Sequence, residues 1–165
     1  MRNTSLRHVG IFTLLLACFF LACSPCRKID CVNGECTDGL CVCTQGYEGT
    51  LCESRMTLKY AGDFSAAETC SGSENFTCSI TENESSILEM IFNNLHGAIN
   101  QFNYPVTATV NVTSPNNLTI ASQPFGAGTI SGSGSISADN NTITLAYTIV
   151  VAGNTENCTA VFTRN

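Results

Sequence analysis

Tryptophan is absent from this chain, histidine occurs twice, and lysine and arginine together occur only seven times in 165 residues. Each shortage removes a class of function. The histidines are His8 and His96, and only His96 would survive removal of an N-terminal export signal. Catalysis by Ser–His or Cys–His pairs, and histidine-rich metal sites, therefore have at most one candidate residue. A lone histidine is usually structural or solvated, and His96 is read that way. Two of the seven bases, Arg2 and Arg7, sit in the first ten positions, whereas every acid lies after position 29. Without its N-terminus the chain carries 13 acids against 5 bases, a net charge near −8. Phosphate binding needs a concentrated basic face, so nucleic acid is excluded as a partner. The acidic surplus is read as a solubility device.

Cysteine is abundant instead. Eleven cysteines are far too many for a reduced cytosolic chain of this length. The N-terminus agrees with export. Arg2 and Arg7 precede an apolar run from Val9 to Ala22, a charged region followed by a hydrophobic one. About 20 residues are needed to span a bilayer, and this run is shorter. Residues 1–22 are therefore expected to be a signal peptide. Its end, "FLAC" (Phe20 to Cys23), resembles a bacterial lipobox, with Ala22 in the small position and Phe20 where Leu is usual. "LLAC" (Leu15 to Cys18) fits the motif better but leaves a shorter hydrophobic region, so Cys23 is the expected lipidation site. The competing reading is an ordinary signal in which both cysteines are incidental. Lipidation implies durable membrane anchoring, since each buried CH2 contributes about 0.8 kcal/mol. By the same resemblance, Ser24 is compatible with the outer membrane or the cell surface.

The next six cysteines, Cys26, Cys31, Cys36, Cys41, Cys43 and Cys52, are spaced C-x4-C-x4-C-x4-C-x-C-x8-C. Six cysteines allow 15 pairings by arithmetic. The Cys41/Cys43 pair and "GYEG" in the last loop resemble an epidermal-growth-factor-like (EGF-like) module. That resemblance implies Cys26–Cys36, Cys31–Cys41 and Cys43–Cys52, within an anchor and module spanning 23–56. About 30 residues cannot bury enough apolar surface to fold without staples. Gly46 and Gly49 supply turn conformations. A zinc site would prefer C-x-x-C pairs, which this stretch lacks. The calcium-binding members carry acidic ligands before the first cysteine, where Ser24 and Pro25 stand here. No metal and no cofactor is expected, and the module is read as a spacer.

From residue 57 onward Thr, Ser, Asn, Val and Ile replace cysteine, and alternation dominates. Val106, Ala108, Val110 and Val112 alternate with Thr107, Thr109 and Asn111. Leu118 and Ile120 follow the turn "SPNN", and Ile130 and Ile136 flank "SGSGS". Ile143, Leu145, Tyr147, Ile149 and Val151 alternate after "ADNN", and Cys158, Ala160 and Phe162 form the last run. Earlier strands are expected at Leu58–Phe64 and Phe76–Thr81. Ser85 to Gly97 has a possible capping box, Ser86 with Glu89, but is read as strand among strands. The fold class is mostly β: a disulfide-stapled EGF-like module, then an antiparallel meander over 57–165 closed into a small barrel or sandwich.

"AETCSG", "TATVNV", "NLTIASQ", "GSGSI" and "ENCTAVFTR" resemble bacterial surface lipoproteins in which an EGF-like module precedes a small lipocalin-like β domain of unassigned function. That resemblance implies a Cys70–Cys158 bridge. Cys78 departs from the pattern and is left as an odd thiol, unless Cys70 pairs with it and Cys158 is free.

The expected function is a non-enzymatic, lipid-anchored surface protein. Its module would be a spacer, and its β domain would meet an unknown protein or glycan partner. A small hydrophobic ligand inside a closed barrel is an alternative. Glu82, Glu84 and Glu89 could in principle supply a carboxylate pair, but clustered acids on a strand edge are usually solvated. Seven N-x-[ST] sequons, at Asn3, Asn75, Asn83, Asn111, Asn117, Asn140 and Asn157, keep open a secreted eukaryotic glycoprotein.

Overall fold

The computed structural model describes residues 25–97 and 104–165. The expected signal peptide, Cys18, Cys23, His8 and the sequon at Asn3 lie outside the described residues. The chain forms two compact units that divide between Glu53 and Ser54.

In the first unit, β1 (Gly34–Thr37) and β2 (Leu40–Cys43) form an antiparallel hairpin in which Cys36 lies opposite Cys41. Asp38 and Gly39 link the strands with φ of 50° and 84°. Two consecutive positive φ values match the strand twist of a hairpin, and Asp-Gly is the pair that accepts them at little cost. Cys26 is bonded to Cys36, Cys31 to Cys41, and Cys43 to Cys52, the pairs named above. A short extended piece, β3 (Tyr47–Glu48), follows. The Asn33 side-chain amide donates to the Cys52 carbonyl at 3.0 Å. Val32, Leu40, Val42 and Leu51 stay exposed, so the unit has little apolar core and depends on its bridges.

The second unit opens with β4 (Ser54–Arg55) and a single 3-10 turn, Leu58–Tyr60. The strand expected over Leu58–Phe64 therefore begins later, as β5 (Gly62–Thr69). Tyr60 explains the difference. It is fully buried and donates its hydroxyl to the Pro115 carbonyl at 2.9 Å, a position a straight strand would not reach. Seven further strands follow: β6 (Ser73–Glu82), β7 (Glu89–Asn93), β8 (Val106–Val110), β9 (Asn117–Phe125), β10 (Gly128–Ile136), β11 (Thr142–Val151) and β12 (Asn154–Arg164). The Ser85–Gly97 segment thus contains a strand.

All eight neighbouring pairs are antiparallel, and β12 returns to β5 to close a barrel. Closure decides between the barrel and the sandwich. Period-2 alternation points Phe64, Ile80, Phe92, Leu118, Ile143, Leu145 and Phe162 inward, each essentially without solvent exposure. Eight strands give an interior just wide enough for side chains to fill, and here they fill it. Outward positions read Ser65, Thr109, Thr119, Thr144, Thr159 and Thr163, all exposed. A membrane-spanning barrel needs an apolar outer band, and this one has the opposite arrangement.

Candidate functional site

Up-and-down connectivity places the β5–β6, β7–β8, β9–β10 and β11–β12 connections at one barrel end and the remaining connections at the other. The chemistry collects at the first of these ends.

Glu68 is the last inward position of β5, after Phe64 and Ala66, and is only 3% exposed. A buried carboxylate requires a partner. His96 supplies it, with Nδ1 2.8 Å from Glu68 Oε2. The backbone after β7 turns sharply to bring the imidazole there: Asn94, His96 and Gly97 have φ of 68°, 67° and 60°. Asn94 anchors this turn by donating to the Thr77 carbonyl at 2.7 Å, and Leu95 is buried in the core beneath it. The imidazole also meets the Tyr147 hydroxyl at 3.3 Å and Cys70 Sγ at 3.8 Å, and packs edge-on to the rings of Tyr147 and Phe125.

Cys70 is bonded to Cys158 across the β5–β12 seam. Cys78 is free and lies mid-strand in β6, opposite Phe64 and pointing into the core. Burial pushes its thiol up to about 12, which keeps it protonated and inert. Ser71 donates both its backbone N–H (3.0 Å) and its hydroxyl (2.5 Å) to Glu156 Oε1. These bonds hold the Glu156 carboxyl below the usual range. A cavity of about 230 Å³ opens here, lined by Glu68, Cys70, Ser71, Glu74, His96 and Glu156. His96 is held above the ordinary imidazole range, first by its hydrogen bond to Glu68 and then by the charges of Glu68, Glu156 and Glu74; partial burial opposes this.

One donor atom from each of Glu68, Cys70, His96 and Cys158 lies within 4.8 Å of the others. With the sulfurs bonded to each other, only the carboxylate and imidazole remain as metal donors, because thiolate is the ligand form. In this state the cluster is a latch between β5, β12 and the segment after β7.

Glu82, Glu84 and Glu89 are brought together around the β6–β7 connection. Glu82 lies at the opposite barrel end, accepts the Thr57 hydroxyl at 2.5 Å and pairs with Arg55 Nη1 at 3.4 Å. Glu89 accepts from the Asn83 amide at 2.8 Å, and Glu84 is exposed in the β6–β7 turn. A second, shallow groove of about 480 Å³ lies between β5, β6 and β12; Ala67, Asn75, Phe76, Thr77, Val161 and Thr163 are among its lining residues, none of which is charged.

The sequence reading missed Glu68 and its pairing with His96. The available signal was the interruption at Glu68 of the inward apolar series Phe64, Ala66. The partner lies 28 positions away and is reached only through the turn after β7.

No known protein family matches the chain, and no curated protein matches it. Among solved structures it is similar to a redesigned beta barrel at 12% identity, with a TM-score of 0.47, over 68% of this chain and 97% of that one.

Proposed function

We propose that this is an exported, lipid-anchored surface protein without enzymatic activity. In this reading the N-terminal unit is an EGF-like spacer and the barrel is the part that meets a protein or glycan partner. The observation that carries the proposal is the four disulfides distributed over both units, because such bridges persist only in oxidising compartments. The arginine-flanked apolar run ending in Cys23 adds the anchor. Glu82 is engaged by Thr57 and Arg55 and Glu89 by Asn83, which supports a non-catalytic role. The filled interior favours a partner on the outside over a ligand within. The uncharged groove beside Phe76 offers hydroxyl and amide groups next to an apolar surface, suited to a neutral polar partner.

The intact mass of the mature protein tests this reading. A chain beginning at Cys23 with added acyl mass, lost in Cys23→Ser, is the expected result. A second reading, a secreted glycoprotein, is favoured by the exposure of Asn75, Asn111, Asn117, Asn140 and Asn157 within sequons. An unlipidated chain with hexose-type increments would select that reading and overturn the first.

A further inference from the structure

We propose that the Cys70–Cys158 bridge conceals a zinc site, formed on reduction from Cys70, Cys158, His96 and Glu68. Four donors already lie within 4.8 Å of one another. Two thiolates, one imidazole and one carboxylate form a set suited to tetrahedral zinc. Zn–S bonds of about 2.3 Å and Zn–N or Zn–O bonds of about 2.0–2.2 Å would require the sulfurs to move apart from bonding distance and the 2.8 Å contact between His96 Nδ1 and Glu68 Oε2 to open.

A structural disulfide has no need of the other two residues, and Glu68 is the residue that a staple leaves unexplained. It is 3% exposed, and its Oε1 has no hydrogen-bond partner among the described residues. An orphaned buried carboxylate oxygen costs free energy, and a cation at this point would satisfy it. The barrel does not need the bridge for closure, because β12 pairs with β5 along the whole run from Thr159↔Thr69 to Arg164↔Phe64. Releasing the sulfurs therefore leaves Glu68, Cys70 and Cys158 on or next to a paired framework, with His96 on the turn that Asn94 anchors.

Access and stoichiometry follow from the cavity. Cys70 is half-buried and lines it, whereas Cys158 is 2% exposed. A thiolate of a small dithiol attacks Cys70 Sγ, and Cys158 leaves as thiolate. The second thiol of the reductant then attacks the mixed disulfide and frees Cys70. The dithiol is oxidised to its own disulfide and supplies the two electrons. Zinc binds the two thiolates, His96 and Glu68, and releases to solvent the protons those groups held.

The test is anaerobic cobalt titration of the full chain after dithiothreitol treatment, with zinc as competitor. Wild type is compared with the Cys70→Ser/Cys158→Ser variant, which keeps every other thiol and so accounts for uptake by the first unit. Wild type is expected to bind one more equivalent, with thiolate-to-cobalt charge-transfer absorption that zinc abolishes. Glu68→Gln and His96→Gln, which preserve volume, are expected to weaken that equivalent by at least about tenfold, the lower end of what losing even an outer-shell partner costs. Identical uptake by wild type and the double-serine variant would overturn the proposal. So would unchanged affinity in both Glu68→Gln and His96→Gln. Equal zinc binding by the untreated, oxidised protein would also overturn it, since the sulfurs would then not be ligands.

Discussion

Glu68 and His96 form a charged pair whose carboxylate is almost wholly removed from solvent while the imidazole side chain keeps 18% exposure. Because the His96 pKa is raised in the folded chain, its stabilising contribution is complete below the ordinary imidazole value, about 6.5. It is lost as pH rises through the folded value. Metal-free barrel stability is therefore expected to decline as pH rises above about 6.5. Chemical denaturation of wild type and His96→Gln across that range checks this: the decline should be absent from the variant. Cys78 provides a second check at this scale. A thiol buried to this degree and raised to about 12 should resist alkylation in the native protein and react only on unfolding. Mass spectrometry after iodoacetamide treatment, with and without denaturant, reads this directly. Native alkylation at Cys78 would mean that β6 opens without global unfolding.

Two elements carry most of the local argument. Strand β10 contains Gly132 opposite Tyr147 and Gly134 opposite Leu145. A Cβ on Gly132 would sit 2.5 Å from the Ala146 carbonyl oxygen and 2.6 Å from Tyr147 Cβ. The "SGSGS" run thus makes room for two large inward side chains of β11. Gly132→Ala is expected to destabilise the barrel by about 1–3 kcal/mol through overpacking, measured by urea denaturation. At the end of β12, Arg164 donates Nη1 to the Ala61 carbonyl (2.7 Å), Nη2 to the Lys59 carbonyl (2.6 Å) and Nε to the Asn140 carbonyl (3.0 Å). Its guanidinium lies 4.6 Å from the Phe64 ring centroid. The planar fork meets three acceptors from three separate nitrogens, a geometry that the single nitrogen of an ammonium does not reproduce. Arg164→Met should cost about 2 kcal/mol, on the scale of one charge-assisted hydrogen bond, and Arg164→Lys should recover only part of it. Equal stability of all three proteins would show that the clamp contributes nothing net.

For the whole molecule, the two units rest on different physics. The first unit buries little and is held by three bridges. The barrel owns a continuous core and has one bridge spanning 88 residues. A crosslink over a loop of that length removes denatured-state entropy worth about 4–5 kcal/mol in the chain-entropy model. Cys70→Ser/Cys158→Ser is accordingly expected to lower barrel stability by up to about that amount while leaving a cooperative transition. Complete loss of barrel structure in that variant would mean that strand pairing between β5 and β12 cannot close the sheet unaided. Full reduction of wild type should unfold the first unit at reductant concentrations where the barrel's far-UV signal persists.

Local rules carried a large part of this fold into the sequence. Alternation of Val106, Ala108 and Val110, and of Ile143, Leu145 and Tyr147, made strands legible because a sheet with one buried face demands period 2. Cysteine spacing, through resemblance, named the pairs in the first unit. The first strand of the barrel was misplaced because the Leu58–Tyr60 turn is dictated by where Tyr60 finds its distant acceptor, the Pro115 carbonyl. Tertiary structure alone decided the rest. Closure of β12 onto β5 selected a barrel and put Cys70 beside Cys158, leaving Cys78 to face the core. The turn after β7 delivered His96 to Glu68. These outcomes depend on contacts between residues tens of positions apart, whose cost is set by chain closure and whose reward is set by packing. Neither quantity is written in any local stretch of the chain.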